Sequence, residues 1–514
     1  MTGNALSGSR CWLLFLTVSL VGGTDGVKEQ ACQRHERSVF VRWESNWTLV
    51  SSKGQCGIDD QPRGSVNGTH DLSKGNVVGK KGYAKKAITN RDDNKIRRML
   101  DSADELLEEG KYGDGLAAFE KLIRTYPRSP RARFGRARAF ELMAAEQQSN
   151  AHLESCIKEY LELLFLKDVP DDLLREAGKR MVDRARFRGW LNKAAQGQRR
   201  LADLFPDDLA VRNELGVTYL MMGRNEEAKK IFREVLAKDA RNGFALVHYG
   251  FIVKTIDDKL EESVDYFRRG METEEEGTQD GRFYFHLGDA LQRLDRSKEA
   301  YEWYEKAVER GVFLSKMQRS LYNVPGLTAR PFWTLKQTTY QRQLEAIEKE
   351  WQVIREEGMT LLDQERGIFK AEDEKLTSAG DWKQFTLYMR GRPVKENCKR
   401  APRTCSIVGQ FPEAAGCTRG QVKFSVMSGG TRVHPHCGPT NCRIRGHLGL
   451  VIPPEPRIRV GNETRAWREG KFIVLDDSFE HEVWHDGSGL RLILIVDFWH
   501  PELDERVRST LPAI

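Results

Sequence analysis

A helical-repeat array followed by an all-β domain, an α+β multidomain chain, is the fold class that this 514-residue sequence predicts. Three observations carry the expectation. A glycine-centred helical pattern recurs between residues 97 and 324; the hydrophobic period changes to two near residue 385; six short alternating segments then succeed it, with Gly-rich turns between them. Length alone asks for several units, because single cores stop growing at about 250–300 residues. Hydrophobic content of 39% and charged content of 31% exclude a polytopic membrane protein and a wholly disordered chain.

At the amino-terminal end, Arg10 precedes an apolar run from Cys11 to Val21, and the small residues Gly22, Gly23 and Thr24 come directly after it. A run of about eleven matches a signal-peptide core and falls short of the roughly 20 residues a membrane span needs. Residues 1–26 are expected to be a signal peptide or an uncleaved signal-anchor, ahead of a buried helix as the lesser reading. The chain beyond residue 26 then enters the lumen of the endoplasmic reticulum, with membrane attachment only if the segment stays as an anchor. The sequons at Asn46, Asn67 and Asn462 agree weakly with that address. Of the eight cysteines beyond the leader, Cys398 and Cys405 close a short loop through Pro402, and an oxidising lumen predicts a bridge between them. Cys32 with Cys56 is a weaker pair. Cys437 and Cys442 have half-site spacing for zinc, but no second cysteine pair comes after them.

Residues 27–95 are polar, Gly-rich and basic, and are expected to be a mostly disordered spacer. The net charge of +7 lies within 27–100, where fifteen Lys/Arg face eight Asp/Glu; residues 101–514 balance at 66 of each sign. A neutral folded region has no bulk field for a polyanion, so nucleic acid is a poor partner.

From 97 to 324 the repeats are countable. Leu215-Gly216-x2-Tyr219 precedes Ala228 and Phe232; Leu287-Gly288-x2-Leu291 precedes Ala300, Tyr304 and Ala307. Tyr249-Gly250 lies 34 residues after Gly216, the tetratricopeptide period, and a looser copy runs from Gly110 to Pro127. Stacked hairpins of this kind usually hold a polypeptide on their concave face. Residues 325–390 are expected to connect, with an amphipathic helix near 339–358. Residues 391–514 carry the predicted strands: 421–427, 447–452, 457–460, 471–475, 481–484 and 490–498, a double-sheet jelly roll or barrel.

Six of the eleven histidines (434, 436, 447, 481, 485 and 500) fall in the last 81 residues, where chance places about two. Such crowding in a β-domain points to metal or acid–base chemistry. His436, with Gly438 two residues on and His481 some 45 later, approaches the pattern of a non-haem iron oxygenase, in which two histidines and a carboxylate leave positions open. Arg491 interrupts an apolar strand ten residues past His481, and is costly there unless an acid meets it. That acid is either a dicarboxylate co-substrate or Asp477 or Asp497. Pattern alone leaves His434 and His447 open as ligands, and leaves open that these histidines bind nothing.

The stretch His436-Cys-Gly-Pro-Thr-Asn-Cys-Arg-Ile-Arg-Gly-His-Leu-Gly-Leu-Val-Ile452, then Asp476-Asp-Ser-Phe-Glu-His-Glu-Val-Trp484 and Trp499-His-Pro-Glu-Leu503, closely resembles the aspartyl/asparaginyl β-hydroxylases. Leu511-Pro-Ala-Ile514, Gln318-Arg-Ser-Leu-Tyr-Asn323, Gly281-Arg-Phe-Tyr-Phe-His-Leu-Gly-Asp289 and Tyr126-Pro-Arg-Ser-Pro-Arg-Ala-Arg133 extend the resemblance over about 97–514. It implies tetratricopeptide-like repeats before a double-stranded β-helix (jelly-roll) oxygenase domain. It also implies an iron(II)-, oxygen- and 2-oxoglutarate-dependent dioxygenase that hydroxylates Asp or Asn in epidermal-growth-factor-like domains of secreted or membrane proteins. His436 and His481 are then the only protein ligands to iron, with Gly438 where other oxygenases have the acid. Ser425 and Arg491 would take the distal carboxylate of 2-oxoglutarate, and Arg445 with His447 the carboxylate beside the keto group. Gln384, Arg443 and Asp477 resemble groups that face the target residue. One departure is visible: relatives have Trp-Pro-His where this chain has His434-Pro-His436. The alternatives are a catalytically inactive lumenal repeat protein that grips folding clients, and a 2-oxoglutarate enzyme acting on collagen-like prolines.

Overall fold

The computed structural model describes residues 83–364, 367–372 and 376–514, and the backbone of 38–43 and 46–51. The expected leader, Asn67 and the Cys32–Cys56 pair lie outside the described residues. No helix among those described is long and apolar enough to cross a membrane.

The expected spacer differs from its prediction in two places. β1 (Ser38–Trp43) and β2 (Asn46–Ser51) form an antiparallel hairpin. The helical part begins near residue 83 rather than 97: Tyr83 Oη donates to Asp101 at 2.7 Å, Lys85 Nζ to Asp104 at 2.8 Å, and Asn90 caps the short helix Arg91–Lys95. The overlooked signal was that Asn cap with Asp92 and Asp93 in the first turn.

Helical hairpins then succeed one another. Arg97–Glu108 pairs with Tyr112–Thr125, Pro130–Glu146 with Asn150–Leu163, Asp171–Phe187 with Leu191–Leu204, and Leu209–Met221 with Asn225–Lys238. Gly243–Thr255 pairs with Leu260–Glu272, and Gly281–Arg293 with Ser297–Glu309. Six hairpins stand where the sequence signature had marked four. The two unmarked ones lack Leu-Gly-x2-Tyr: at Gly178 the facing side chain is Leu201, not an aromatic. Where the signature is present its cause is close approach. A Cβ at Gly216 would stand 2.6 Å from the Phe232 ring, and one at Gly288 2.0 Å from that of Tyr304, so the aromatic of the second helix rests on the glycine of the first. Side-chain caps at Ser129, Ser149, Asp208, Asn242 and Asp280 start the helices at 130, 150, 209, 243 and 281. The array divides between Val235 and Leu236 into two compact units, and residues 236–514 form the one that carries the β-domain.

His248 is buried between Phe244 and Phe283, 4.2 and 5.1 Å away by ring centroid, and its Nδ1 meets the Phe244 carbonyl at 2.8 Å. Burial pushes its pKa down to about 4. In the unfolded chain an ordinary imidazole takes its proton near pH 6.5. The unfolded state therefore binds the extra proton between about 6.5 and 4, and stability falls as pH drops through that window, by at most about 3 kcal/mol. Acid-titrated thermal melts are expected to show that slope and His248→Phe to flatten it; an equal slope in the variant refutes the assignment.

The β-domain begins earlier than residue 391. Within the segment expected only to connect lie β3 (Phe332–Trp333), helices Gln341–Lys349 and Trp351–Gln364 in place of one, β4 (Lys370–Ala371), β5 (Thr377–Ala379) and β6 (Trp382–Met389). β7 (Arg392–Pro393), helices Lys395–Arg400, Pro402–Gly409 and Pro412–Ala415, then β8 (Gln421–Met427), β9 (Thr431–His436), β10 (Arg443–Val451), β11 (Arg457–Val460), β12 (Glu463–Arg465), β13 (Phe472–Leu475), β14 (His481–His485) and β15 (Arg491–Trp499) complete it, ahead of the final helix Glu505–Thr510. Cys398 and Cys405 form a disulfide between two of those helices, with Cα atoms 5.6 Å apart.

All strand pairs are antiparallel. One sheet runs β3-β13-β10-β15-β8-β6-β4 with β7 on β6, and the other β12-β11-β14-β9-β5. Side chains from both, among them Met427, Val433, Ile458, Val483, Ile493 and Ile495, join in one apolar cluster. On its other face the larger sheet packs Phe424, Ile444, Leu494, Val496 and Phe498 against the helices around Leu344, Ile354 and Val408. This is a double-sheet jelly roll.

Candidate active site

His436 ends β9 and His481 opens β14, and the register sets them directly opposite each other. Directly paired residues point to one face of a sheet, and here the ring centroids are 4.1 Å apart. Each Nδ1 is bound to a main-chain carbonyl two residues upstream, His436 to His434 at 2.8 Å and His481 to Phe479 at 2.9 Å. As the donor in each bond is Nδ1–H, the nitrogen left for a metal is Nε2. Burial and the neighbouring His436 push the pKa of His481 down to about 3, so its ring is neutral, the form that ligates.

The second half of the site comes from the larger sheet. Arg491, at the start of β15, is 2% exposed and has no carboxylate partner among the described residues. Its Nη2 donates to Ser425 Oγ at 2.9 Å, its guanidinium lies 5.1 Å from the Trp467 ring, and its Nε is unpartnered. Burial pulls its pKa down to about 9. Ser425 Oγ also accepts from Trp382 Nε1 at 2.9 Å. With both bonds directed into the oxygen, its own O–H remains to donate. His447 is buried, stacks on Trp467 at 6.0 Å, and neither ring nitrogen has a partner. Burial first, then Arg445, Arg491 and His481, holds its pKa well below the usual imidazole range. Gln384 pairs across from Ser425 with Oε1 unpartnered, and Trp467 Nε1 is unpartnered too. Five buried polar atoms on Arg491, His447, Trp467 and Gln384 are without hydrogen-bond partners, a concentration that buried groups of a folded chain seldom show.

Three sequence-predicted residues have other employment. Arg445 forks onto Asp497 at 2.7 and 2.9 Å and reaches Asp477 at 3.1 Å. Arg443 bonds Asp477 at 2.7 Å, Asp497 at 3.1 Å and the Arg419 carbonyl at 2.6 Å. Asp477 is fully buried between the two arginines; burial raises its pKa, but Arg443 and Arg445 hold it well below the carboxylate range. Arg443 and Asp477, both expected to face the target residue, are thus ion-paired with each other. Arg445 is already matched to acids before any co-substrate arrives. Asp477 and Asp497 are engaged by these arginines, which excludes them as the partner of Arg491.

Asp477 also explains Gly438. A Cβ there would stand 2.5 Å from Asp477 Oδ2, and the Gly438 amide donates to the Asp477 carbonyl at 2.6 Å. A grafted carboxylate has no room. Gly438→Asp is expected to destabilise the fold by about 1–3 kcal/mol through overpacking and to add no ligand; a denaturation midpoint equal to the parent's together with tighter cobalt(II) binding would reject this. No group of three or more His, Cys, Asp or Glu side chains among the described residues is arranged to hold a metal.

The remaining candidates separate cleanly. His434 is half-buried near helix Gly281–Arg293; burial and the Arg293 charge lower its pKa, against the opposing pull of Asp289 and Asp295. His485 and His500 bond the Gly489 and Thr328 carbonyls. Cys437 and Cys442 are free buried thiols with separate surroundings, Cys442 Sγ accepting from Arg419 at 3.2 Å. Sequence reasoning missed Trp382 and Trp467, and offered Asp497 only as a partner of Arg491 rather than as the clamp on Arg443 and Arg445. The acid within an otherwise apolar strand was a signal for Asp497; loop-borne Trp467 carried none.

Residues 348–501 match the family model described as Aspartyl/Asparaginyl beta-hydroxylase, and residues 100–142, 209–238 and 281–310 match tetratricopeptide-repeat models. The chain is 50% identical over 431 residues, 84% of its length, to the Aspartyl/asparaginyl beta-hydroxylase of Homo sapiens and to that of Mus musculus. It spans 57% and 58% of the length of those two relatives. The Aspartate beta-hydroxylase domain-containing protein 2 of Mus musculus is 33% identical over 216 residues, 40% of this chain and 62% of that protein.

Proposed function

Because the chain belongs, through residues 348–501, to the aspartyl/asparaginyl β-hydroxylase family, we propose that it is a peptidyl-aspartate/asparagine β-hydroxylase of the endoplasmic reticulum lumen. Its co-substrates are oxygen and 2-oxoglutarate, its metal iron(II), and its targets Asp or Asn in epidermal-growth-factor-like domains. When bound, iron(II) with 2-oxoglutarate and oxygen supplies the oxidising power to turn a β C–H into C–OH, the keto acid leaving as succinate and carbon dioxide.

The chain's own residues do the rest. His436 and His481 present Nε2 atoms, each ring locked by its Nδ1–carbonyl bond. Arg491 takes the distal carboxylate, with Ser425 Oγ as second donor; burial in a water-poor site strengthens both bonds. Arg445 and His447 meet the carboxylate beside the keto group, and Gln384 supplies an amide toward the target. Arg443, Asp477, Arg445 and Asp497 are joined by buried ion pairs. The Cys398–Cys405 bridge suits an oxidising lumen.

The observation that carries this reading is the unpaired buried guanidinium of Arg491 amid other orphaned polar atoms. A scaffold that only grips clients has no use for that cost. The test incubates purified full chain with iron(II), ascorbate and an epidermal-growth-factor-like peptide, with and without 2-oxoglutarate. A gain of one oxygen on Asp or Asn, matched by succinate, is expected. No gain, with neither metal nor 2-oxoglutarate retained, would favour the inactive repeat protein; oxidation of a collagen-like peptide instead would favour the proline enzyme.

A further inference from the structure

We propose that Glu480 is a positioning residue that ties the metal-binding ring of His481 to the last helical repeat. The inference rests on the reading of His481 as a metal ligand. Glu480 immediately precedes His481, the first residue of β14. His481 turns toward His436, while Glu480 turns toward the helices.

Everything polar on Glu480 is occupied. Its Oε1 accepts from Arg459 Nη2 at 2.9 Å and Tyr301 Oη at 3.0 Å; its Oε2 accepts from Arg319 Nη2 at 2.9 Å and Gln292 Nε2 at 3.0 Å. The Glu480 amide donates to the Met317 carbonyl at 2.6 Å, and its carbonyl accepts from Gly461 at 2.8 Å. Gln292 lies in the last turn of helix Gly281–Arg293 and Tyr301 in helix Ser297–Glu309, the two helices of the last repeat. Arg319 is 1% exposed, its guanidinium 4.0 Å from the centre of the Tyr304 ring, and the Tyr304 hydroxyl donates to Gln292 Oε1 at 2.9 Å. The carboxylate thus closes a ring of contacts through repeat, linker and β11.

This bolt also reaches the loop behind the other ligand. The Leu321 and Tyr322 amides donate to the Pro439 carbonyl, Thr440 Oγ1 donates to the Tyr322 carbonyl, and Gln318 Nε2 donates to Ser478 Oγ. The segment from Met317 to Tyr322 therefore spans the loop after His436 and the loop before His481. The separation of the two rings is set from outside the β-domain as well as from within it.

The test titrates cobalt(II) into the metal-free full chain anaerobically, tracking its visible absorption, and records a thermal melt for each variant. Glu480→Gln is expected to bind cobalt about tenfold more weakly, the scale of outer-shell losses. Tyr301→Phe removes the hydroxyl that meets both Glu480 oxygens at 3.0 Å and Met317 Sδ at 3.3 Å, and strands no buried charge; about threefold weaker binding with an unchanged melt is expected. If Glu480→Gln does not fold, Tyr301→Phe decides alone. Cobalt affinity equal to the parent's in Tyr301→Phe overturns the link to the repeat, whatever the melts show. A parent that binds no cobalt at its histidines would instead sink the enzyme reading itself.

Discussion

Replacing His436 and His481 together by alanine is expected to abolish divalent-metal binding in the β-domain and to lower succinate formation by about 10³-fold or more. That corresponds to about 4 kcal/mol at about 1.4 kcal/mol per decade. The two rings meet because β9 and β14 are paired in one register, and no acidic side chain among the described residues joins them. With both gone the site keeps no protein ligand. Single replacements are expected to fall between parent and double variant, because each leaves one imidazole in place. Metal content after gel filtration and succinate per folded protein provide the measurement. Turnover by the double variant within tenfold of the parent would remove these histidines from the mechanism.

Arg491→Met is expected to separate binding from stability. Removing a buried guanidinium that has no carboxylate partner among the described residues relieves desolvation, which stabilises the metal-free, ligand-free protein by about 1–3 kcal/mol. Methionine has a similar length and fills irregular space. The same change removes the positive end of the proposed co-substrate site, so the KM for 2-oxoglutarate should rise about 100-fold or more, the worth of a charge-assisted bond in a dry pocket. A higher melting temperature with lost 2-oxoglutarate dependence is the expected pair of results. A lower melting temperature would mean that Arg491 is a structural ion, and an unchanged KM would end its role as the carboxylate's partner.

Much of this molecule is legible as text, for physical reasons that can be named. The strands at 421–427 and 457–460 appear at their expected residues because period-two burial needs only neighbouring letters. β9 was not legible: Pro435 and two histidines disguise it, and it is a strand because β14 and β5 pair with it. The hairpin at 171–204 hid because Gly178 meets Leu201 in place of the signature aromatic, and the one at 130–163 because its Gly135 meets Phe119 of the preceding hairpin. β6 looked like a connection until its pairing with β8 set Gln384 beside Ser425.

The site divides in the same way. Histidine crowding, Gly438 and an arginine inside an apolar strand were written in the chain, and with the family resemblance they named His436, His481, Ser425, His447 and Arg491 as residues to watch. Which acid met which arginine was not written there. Asp477 and Asp497 were equally plausible partners for Arg491 by residue type, and only the folding of β10 between β13 and β15 gave them to Arg443 and Arg445. Local pattern is set by contacts a few residues apart, which the order of amino acids states directly. Charge pairing is set by cross-strand register and by burial, both of which exist only once distant segments have packed.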